Sequence, residues 1–139
     1  MKPYGKVNLV ALALIAAVVG GLWYGICVAP AYLDNLDVSE AVAASIAKAK
    51  NFATDETIRG TILQASRRVG THKADDGYGN ITEQTGLGLT DDNIEIIRDS
   101  VQNMIQIRVE YEREMELKPL NRVVRLRFAV HKEGPIPPP

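Results

Sequence analysis

Two histidines, one cysteine and a run of acidic side chains are the groups in this 139-residue chain whose types could do chemistry. Catalysis and metal binding need such groups to converge, and their spacing argues against convergence. His72 falls in a glycine-rich stretch and His131 at the end of an expected strand, neither at ligand spacing from a cysteine. Ser39 and Ser45 share one expected helix, where a capping or packing role fits them. Cys27 is the single cysteine, so no intramolecular disulfide can form. It reads as a small apolar packing residue, with an intermolecular bridge between two anchors as the alternative.

The segment Asp75-Asp76-Gly77-Tyr78-Gly79-Asn80-Ile81 invites a test as a calcium loop. Aligning Gly79 and Ile81 with the glycine and hydrophobic positions of an EF-hand puts Ala74 first, Tyr78 fifth and Thr85 twelfth. All three are ligand positions, and none of these side chains supplies a carboxylate, so the match fails. The glycines also lack the preceding strand and following helix of a phosphate-binding loop. No nucleophile elbow or carboxylate dyad stands out. No enzyme, metal, cofactor or small-molecule ligand is therefore expected. An enzymatic reading would revive only if His72, Asp75 and Asp76 surrounded one pocket.

The elements that would have to position any site begin with an apolar run from Val7 to Val28, broken only by Asn8. As a helix it spans roughly 33 Å, enough to cross a hydrocarbon core of about 30 Å. Lys2 and Lys6 precede the run, no further Lys or Arg occurs before Lys48, and Asp34, Asp37 and Glu40 follow it. That asymmetry predicts a cytoplasmic N-terminus (residues 1–6), a transmembrane helix (7–29) and an outer domain on the far side. Trp23 and Tyr24 would sit at the outer membrane interface. A cleaved signal peptide would have an apolar core of about 7 to 15 residues, shorter than this one, and Pro30 stands awkwardly beside the Ala29–Ala31 position. Tyr24-Gly25-Ile26 before Cys27 lacks a lipoprotein pattern. An uncleaved signal anchor is expected. Within it, Ala13, Ala17, Gly21, Gly25 and Ala29 recur every fourth position, with Gly21 and Gly25 forming a GxxxG, so another helix could approach closely.

Of the 16 Lys and Arg residues, 14 lie beyond the run together with all 17 Asp and Glu, so the outer portion is slightly acidic. Nucleic acid and an anionic membrane surface are poor partners for it. Asp37 with Glu40 resembles a capping box opening a helix with the stripe Val38, Val42, Ser45, Ile46 and Ala49. Thr54 should cap a second helix, whose stripe is Ile58, Ile62, Ala65 and Val69 and whose stop is Gly70. Arg67 and Arg68 complement its C-terminal dipole. Residues 71–92 read as a loop.

Strands follow at Ile94–Arg98, from Met104 to Leu117, and through Val124, Leu126, Phe128 and Val130. In the long middle one, Ile105, Ile107, Val109, Tyr111, Met115 and Leu117 alternate with an acid-rich outer face. Arg113 occupies an inward slot, which predicts a bulge, a sheet edge or the end of burial there. Arg125 and Arg127 should face the glutamates across the sheet, making them a solvated pairing surface and not a catalytic one. The expected class is α+β: one transmembrane helix, then an outer domain (30–133) of two helices on a three-stranded antiparallel sheet, then a proline-rich tail (134–139).

Pro30-Ala31-Tyr32-Leu33 after the anchor, the two helices, Ile105 to Glu112, and Pro119-Leu120-Asn121 before a strand ending near Phe128 resemble the bacterial domain of unknown function 4845 family. Members of that family are short single-pass proteins. The resemblance implies the same architecture in a bacterial cell membrane, with the outer domain periplasmic or extracellular, and carries over no catalytic residue. An apolar helix leading into an antiparallel sheet is also similar to pilin-like proteins. If cleavage followed Gly5, however, the acidic residue of mature pilins would fall at Val10. The expected function is a non-catalytic accessory or scaffold subunit of a membrane complex, with the bilayer and other transmembrane helices or a homo-oligomer as partners. A filament or secretion component is the alternative.

Overall fold

The computed structural model describes residues 5–6, 8–118 and 120–138. Lys2, the Val7 start of the apolar run, Pro119 in the last connection and Pro139 lie outside the described residues. The chain order is α1 (Leu9–Ala49), α2 (Asp55–Ser66), β1 (Thr71–Asp75), β2 (Ile81–Thr85), a 3-10 turn (Asp91–Asn93), β3 (Ile94–Asp99), β4 (Met104–Leu117) and β5 (Arg122–Pro135). The class is α+β, with two antiparallel sheets of order β1-β2 and β3-β4-β5.

The expected anchor and first outer helix are one element, a correction to the helix start expected at Asp37. α1 runs 41 residues without a break. Asn8, the one polar residue in the apolar run, caps it by accepting from the Val10 amide at 3.1 Å. Pro30 lies inside the helix, but no glycine or asparagine stands within the next turn to lead the chain out, so the ladder resumes. The Asp37 and Glu40 pattern is therefore not an N-terminus, because the amides it would cap already lie within α1. The expected buried stripe holds: Val38, Val42, Ser45, Ile46 and Ala49 are all buried. Ser45 satisfies its hydroxyl by donating to the Ala41 carbonyl at 2.8 Å.

Thr54 caps α2 as expected, its hydroxyl accepting from the Thr57 amide at 3.3 Å. The helix ends one turn early, at Ser66 with Arg67 as C-cap, so the buried set is Ile58, Ile62 and Ser66. Ala65 and Val69 are only half-buried. Gly70, at φ +65°, supplies the left-handed residue after the helix.

The expected loop 71–92 contains a hairpin, with Thr71 opposite Thr85 and Asp75 opposite Ile81. Its strands lie on the surface and bury no apolar face, so they carry no alternation to read. Turn chemistry forms it instead. Asp75 accepts from the Gly77 and Gly79 amides at 2.8 and 3.1 Å, and Asp76 accepts from Tyr78 at 2.8 Å. The segment tested as a calcium loop is thus a turn folded by its own carboxylates.

The three-stranded sheet matches the sequence reading closely. The buried face of β4 carries Ile105, Ile107, Val109 and Tyr111 against Val38, Val42, Ile46 and Ile58, and Leu117 is buried nearer the hairpin tip. Phe128 and Val130 of β5 join them, while Val124 and Leu126 are half-buried. On the outer face, Arg125 meets Glu114 at 3.2 Å and Arg127 meets Glu110 at 3.5 Å. The expected tail is shorter than residues 134–139, because β5 continues to Pro135 with Gly134 opposite Ile105. Gly134 is required there: a Cβ would lie 2.5 Å from the Ile46 side chain of α1. An edge strand tolerates Pro135, and the Ile136 amide still reaches the Asn103 carbonyl at 2.8 Å.

Candidate functional site: the exposed helix and its joint with the outer domain

The functional region the fold presents is α1 itself, buried on one side from Val28 onward and exposed at every described position before Trp23. No part of its most apolar stretch is buried within the chain. Leu9, Leu14, Val18 and Leu22 are each more than half exposed. Such a helix is long and apolar enough to cross a membrane, by length and composition.

The β4–β5 hairpin decides where burial begins. Its tip reaches back along α1 to Trp23, whose indole N–H donates to the Lys118 carbonyl at 2.9 Å. Trp23 is half-buried by this contact, while Tyr24 remains exposed. The expected interface pair therefore divides: one ring is clamped to the outer domain and the other is free.

One and a half turns after Val28, a polar joint fixes helix to sheet. Arg113 of β4 is only 8% exposed, and its guanidinium donates to Asp34 of α1 at 2.7 Å. The expected bulge, edge or end of burial at Arg113 does not occur. Arg113 stays in register opposite Leu126, and Leu117 beyond it is buried. The charge is tolerated because α1 delivers a counter-ion to it. Arg113 Nε is buried without a partner, so the pair is stabilised by a single strong contact.

Beside the pair, the Tyr111 hydroxyl donates to Asn35 at 2.8 Å. Burial is the main reason its phenol is pushed up to about 12; Arg113 opposes the shift and Asp34 adds to it. Phe128 stacks on Tyr111 and meets Tyr32 edge-on, at ring centroids 5.4 and 5.2 Å apart. Asp34, Asn35, Tyr111 and Arg113 were not singled out as a group by the sequence. The signal was present in Arg113, a lone cation in an inward slot that had to find a carboxylate.

The residues expected to form the helix-packing groove all lie on the bare part of α1 or at its edge. Ala13, Ala17, Gly21 and Ala29 are exposed and Gly25 is half-buried. A Cβ at Gly21 or Gly25 would meet nothing within 4 Å, so among the described residues nothing fills the groove there.

The chemistry-bearing groups stay apart. His72 Nδ1 lies 2.7 Å from the Gly86 carbonyl, while Asp75 and Asp76 are spent on the hairpin turn. Backbone donation, led by the Tyr78 amide, holds the exposed Asp76 carboxyl below the usual carboxylate range. Among the described residues, no group of three or more His, Cys, Asp or Glu side chains is placed to hold a metal ion. Arg59 lines a polar surface cleft, yet its guanidinium is engaged by the Asp91 and Ile94 carbonyls at 3.0 and 2.6 Å. No family model, curated protein or solved structure matches the chain.

Proposed function

We propose that this chain is a non-catalytic single-pass membrane protein serving as an accessory or scaffold subunit of a larger membrane assembly. One observation carries the reading. A single helix is uncovered and apolar on all sides over its first half, then one-sided and packed into a folded domain over its second. The core helix of a water-soluble protein would bury its most apolar stretch, whereas here none of it is buried. A cleaved leader also fits poorly. A cut near Ala29–Ala31 would fall inside α1, between the buried Val28 and Ala31.

The basic flank at Lys2 and Lys6 supports a cytoplasmic N-terminus, and so a periplasmic or extracellular domain. The bare, partly small-residue surface of α1 supports partnership with other membrane helices. Alkaline carbonate extraction of membranes, the mass of the mature chain and a compartment-sensitive reporter at the C-terminus test the reading together. A chain released by carbonate, a mature mass lacking the first thirty or so residues, or a cytoplasmic C-terminus would each overturn it.

A second reading, a pilin-like filament or secretion component, draws support from a long helix packed by its C-terminal half on an antiparallel sheet. Its discriminator is the mature N-terminus: an intact Met1 or Lys2 excludes processing after Gly5.

A further inference from the structure

The uncovered part of α1 is apolar all round, and one set of its large exposed residues follows a heptad. Leu12, Val19, Ile26 and Leu33 recur at seven-residue intervals, and Ile15, Leu22, Ala29 and Leu36 recur in step three residues later. All eight are exposed. They form the alternating three-and-four spacing of a coiled-coil seam, with the first set at a and the second at d. At about 100° per residue, the seam points roughly 175° away from the buried Val28, Ala31, Val38 and Val42.

The pattern does not stop where the outer domain begins. Ile26, Leu33 and Leu36 are 74%, 61% and 59% exposed, although they flank or lie beyond Trp23, where the hairpin tip reaches the helix. The seam ends at the next a position, Glu40, where two copies would set like charges face to face.

We infer that two copies of this chain pair in parallel through the seam from Leu12 to Leu36, with the outer domains on the two far sides of a left-handed helix pair. The inference rests on the membrane-anchor reading given above. Several features select a second copy as the occupant. An anchor inserted once fixes every copy at the same depth and direction, so identical a and d layers meet without adjustment. No like-charged residues flank the seam: the g-to-e′ pairs are Val18 with Trp23, Gly25 with Pro30 and Tyr32 with Asp37. Val19 at a with Leu22 at d is the two-stranded pairing, whereas Leu12 at a with Ile15 at d is not. The seven large side chains expose roughly 500 Å² per copy, a large share of the ~800 Å² each partner gives a standard interface.

The seam shares Ala29 with the small-residue groove and otherwise diverges from it. Ala13, Ala17 and Gly21 point at least about 120° away from the mean seam direction, so the two routes to a dimer predict different contacts.

The test is cysteine scanning of the full chain in native membranes, in a Cys27→Ala background, with a mild oxidant. Single cysteines at Ile26, Leu33 and Leu36 are expected to give a covalent dimer at least ten times more abundant than cysteines at Val10, Ala17 or Tyr24. In addition, Leu33→Glu with Leu36→Glu is expected to reduce the Ile26→Cys dimer at least tenfold. Both leucines are exposed, and near-ultraviolet circular dichroism checks that the domain is intact. A cross-linking maximum at Ala17 and Gly21, adducts only with another protein, no dimer at any position, or an Ile26→Cys dimer indifferent to the two glutamates would each overturn the seam. Carbonate extraction of the same membranes reports the anchor separately: seam failure in chains that resist extraction falls on the pairing alone.

Discussion

The two halves of α1 share one backbone and opposite surroundings. Among the described residues, nothing covers α1 before Trp23, while its second half lies over β4 and β5 with Val38, Val42, Ile46 and Ala49 in the core. The difference is set by how far the sheet reaches. β4 and β5 are each 14 residues long, and their connecting turn meets the helix at Trp23. Below that level no strand remains to cover the helix, and its side chains are apolar all round. Above it, the exposed side carries Asp37, Glu40 and Lys48, and only one face is buried. A helix with apolar side chains on every face needs an apolar solvent, whereas a one-sided helix needs only a sheet.

The largest expected effect tests the bare half. Leu14→Arg with Val18→Arg places two cations at the centre of the apolar stretch, at about 2.5 to 3.5 kcal/mol each on an insertion scale. Membrane retention should be lost, while the same pair at Ala43 and Ala47, on the exposed side of the packed half, should leave retention and domain unfolding unchanged.

The joint between the halves comes next. Asp34→Ala leaves Arg113 buried without its carboxylate and should destabilise the domain by about 3 kcal/mol in urea unfolding in mild detergent. Asp34→Leu combined with Arg113→Met should recover most of that loss. If the double variant is as weak as the single, the pair contributes through geometry and not through charge.

A pH limb should accompany the joint. Tyr111 binds its proton more tightly folded, near 12, than unfolded, near 10. Its contribution is therefore complete below pH 10 and lost as pH rises towards 12, up to about 2 kcal/mol. Tyr111→Phe should be less stable than the parent at neutral pH by about 1 kcal/mol, and the gap should close or reverse above pH 10. A constant gap would place the phenol's pKa at its ordinary value.

The smallest effect belongs to the outer face of the sheet. Arg125→Ala removes one exposed pair with Glu114 and should cost less than about 1 kcal/mol, with the difference shrinking in high salt. A larger, salt-independent loss would mean that this face is covered in the assembled protein.

Residues by themselves determined the apolar stretch, the Thr54 cap, the Met104 to Leu117 alternation and the charge pairing across β4 and β5, because each rests on neighbours within a turn or along a strand. Residues 71–92 escaped that logic: the hairpin there buries no apolar face, and its signal lay only in Asp75, Asp76 and two glycines. The separation of anchor from outer helix failed for a related reason. A capping pattern at Asp37 is meaningful only if the preceding residues leave the helix, and Ala31 to Leu36 do not.

Tertiary structure alone decided the rest. The partner of Arg113 lies 79 positions away in Asp34, and the room for β5 against α1 depends on a missing side chain at Gly134 opposite Ile46. No local pattern encodes either contact. Each exists because a helix and a sheet, specified separately, are brought to one distance and one register by the apolar surface they bury together.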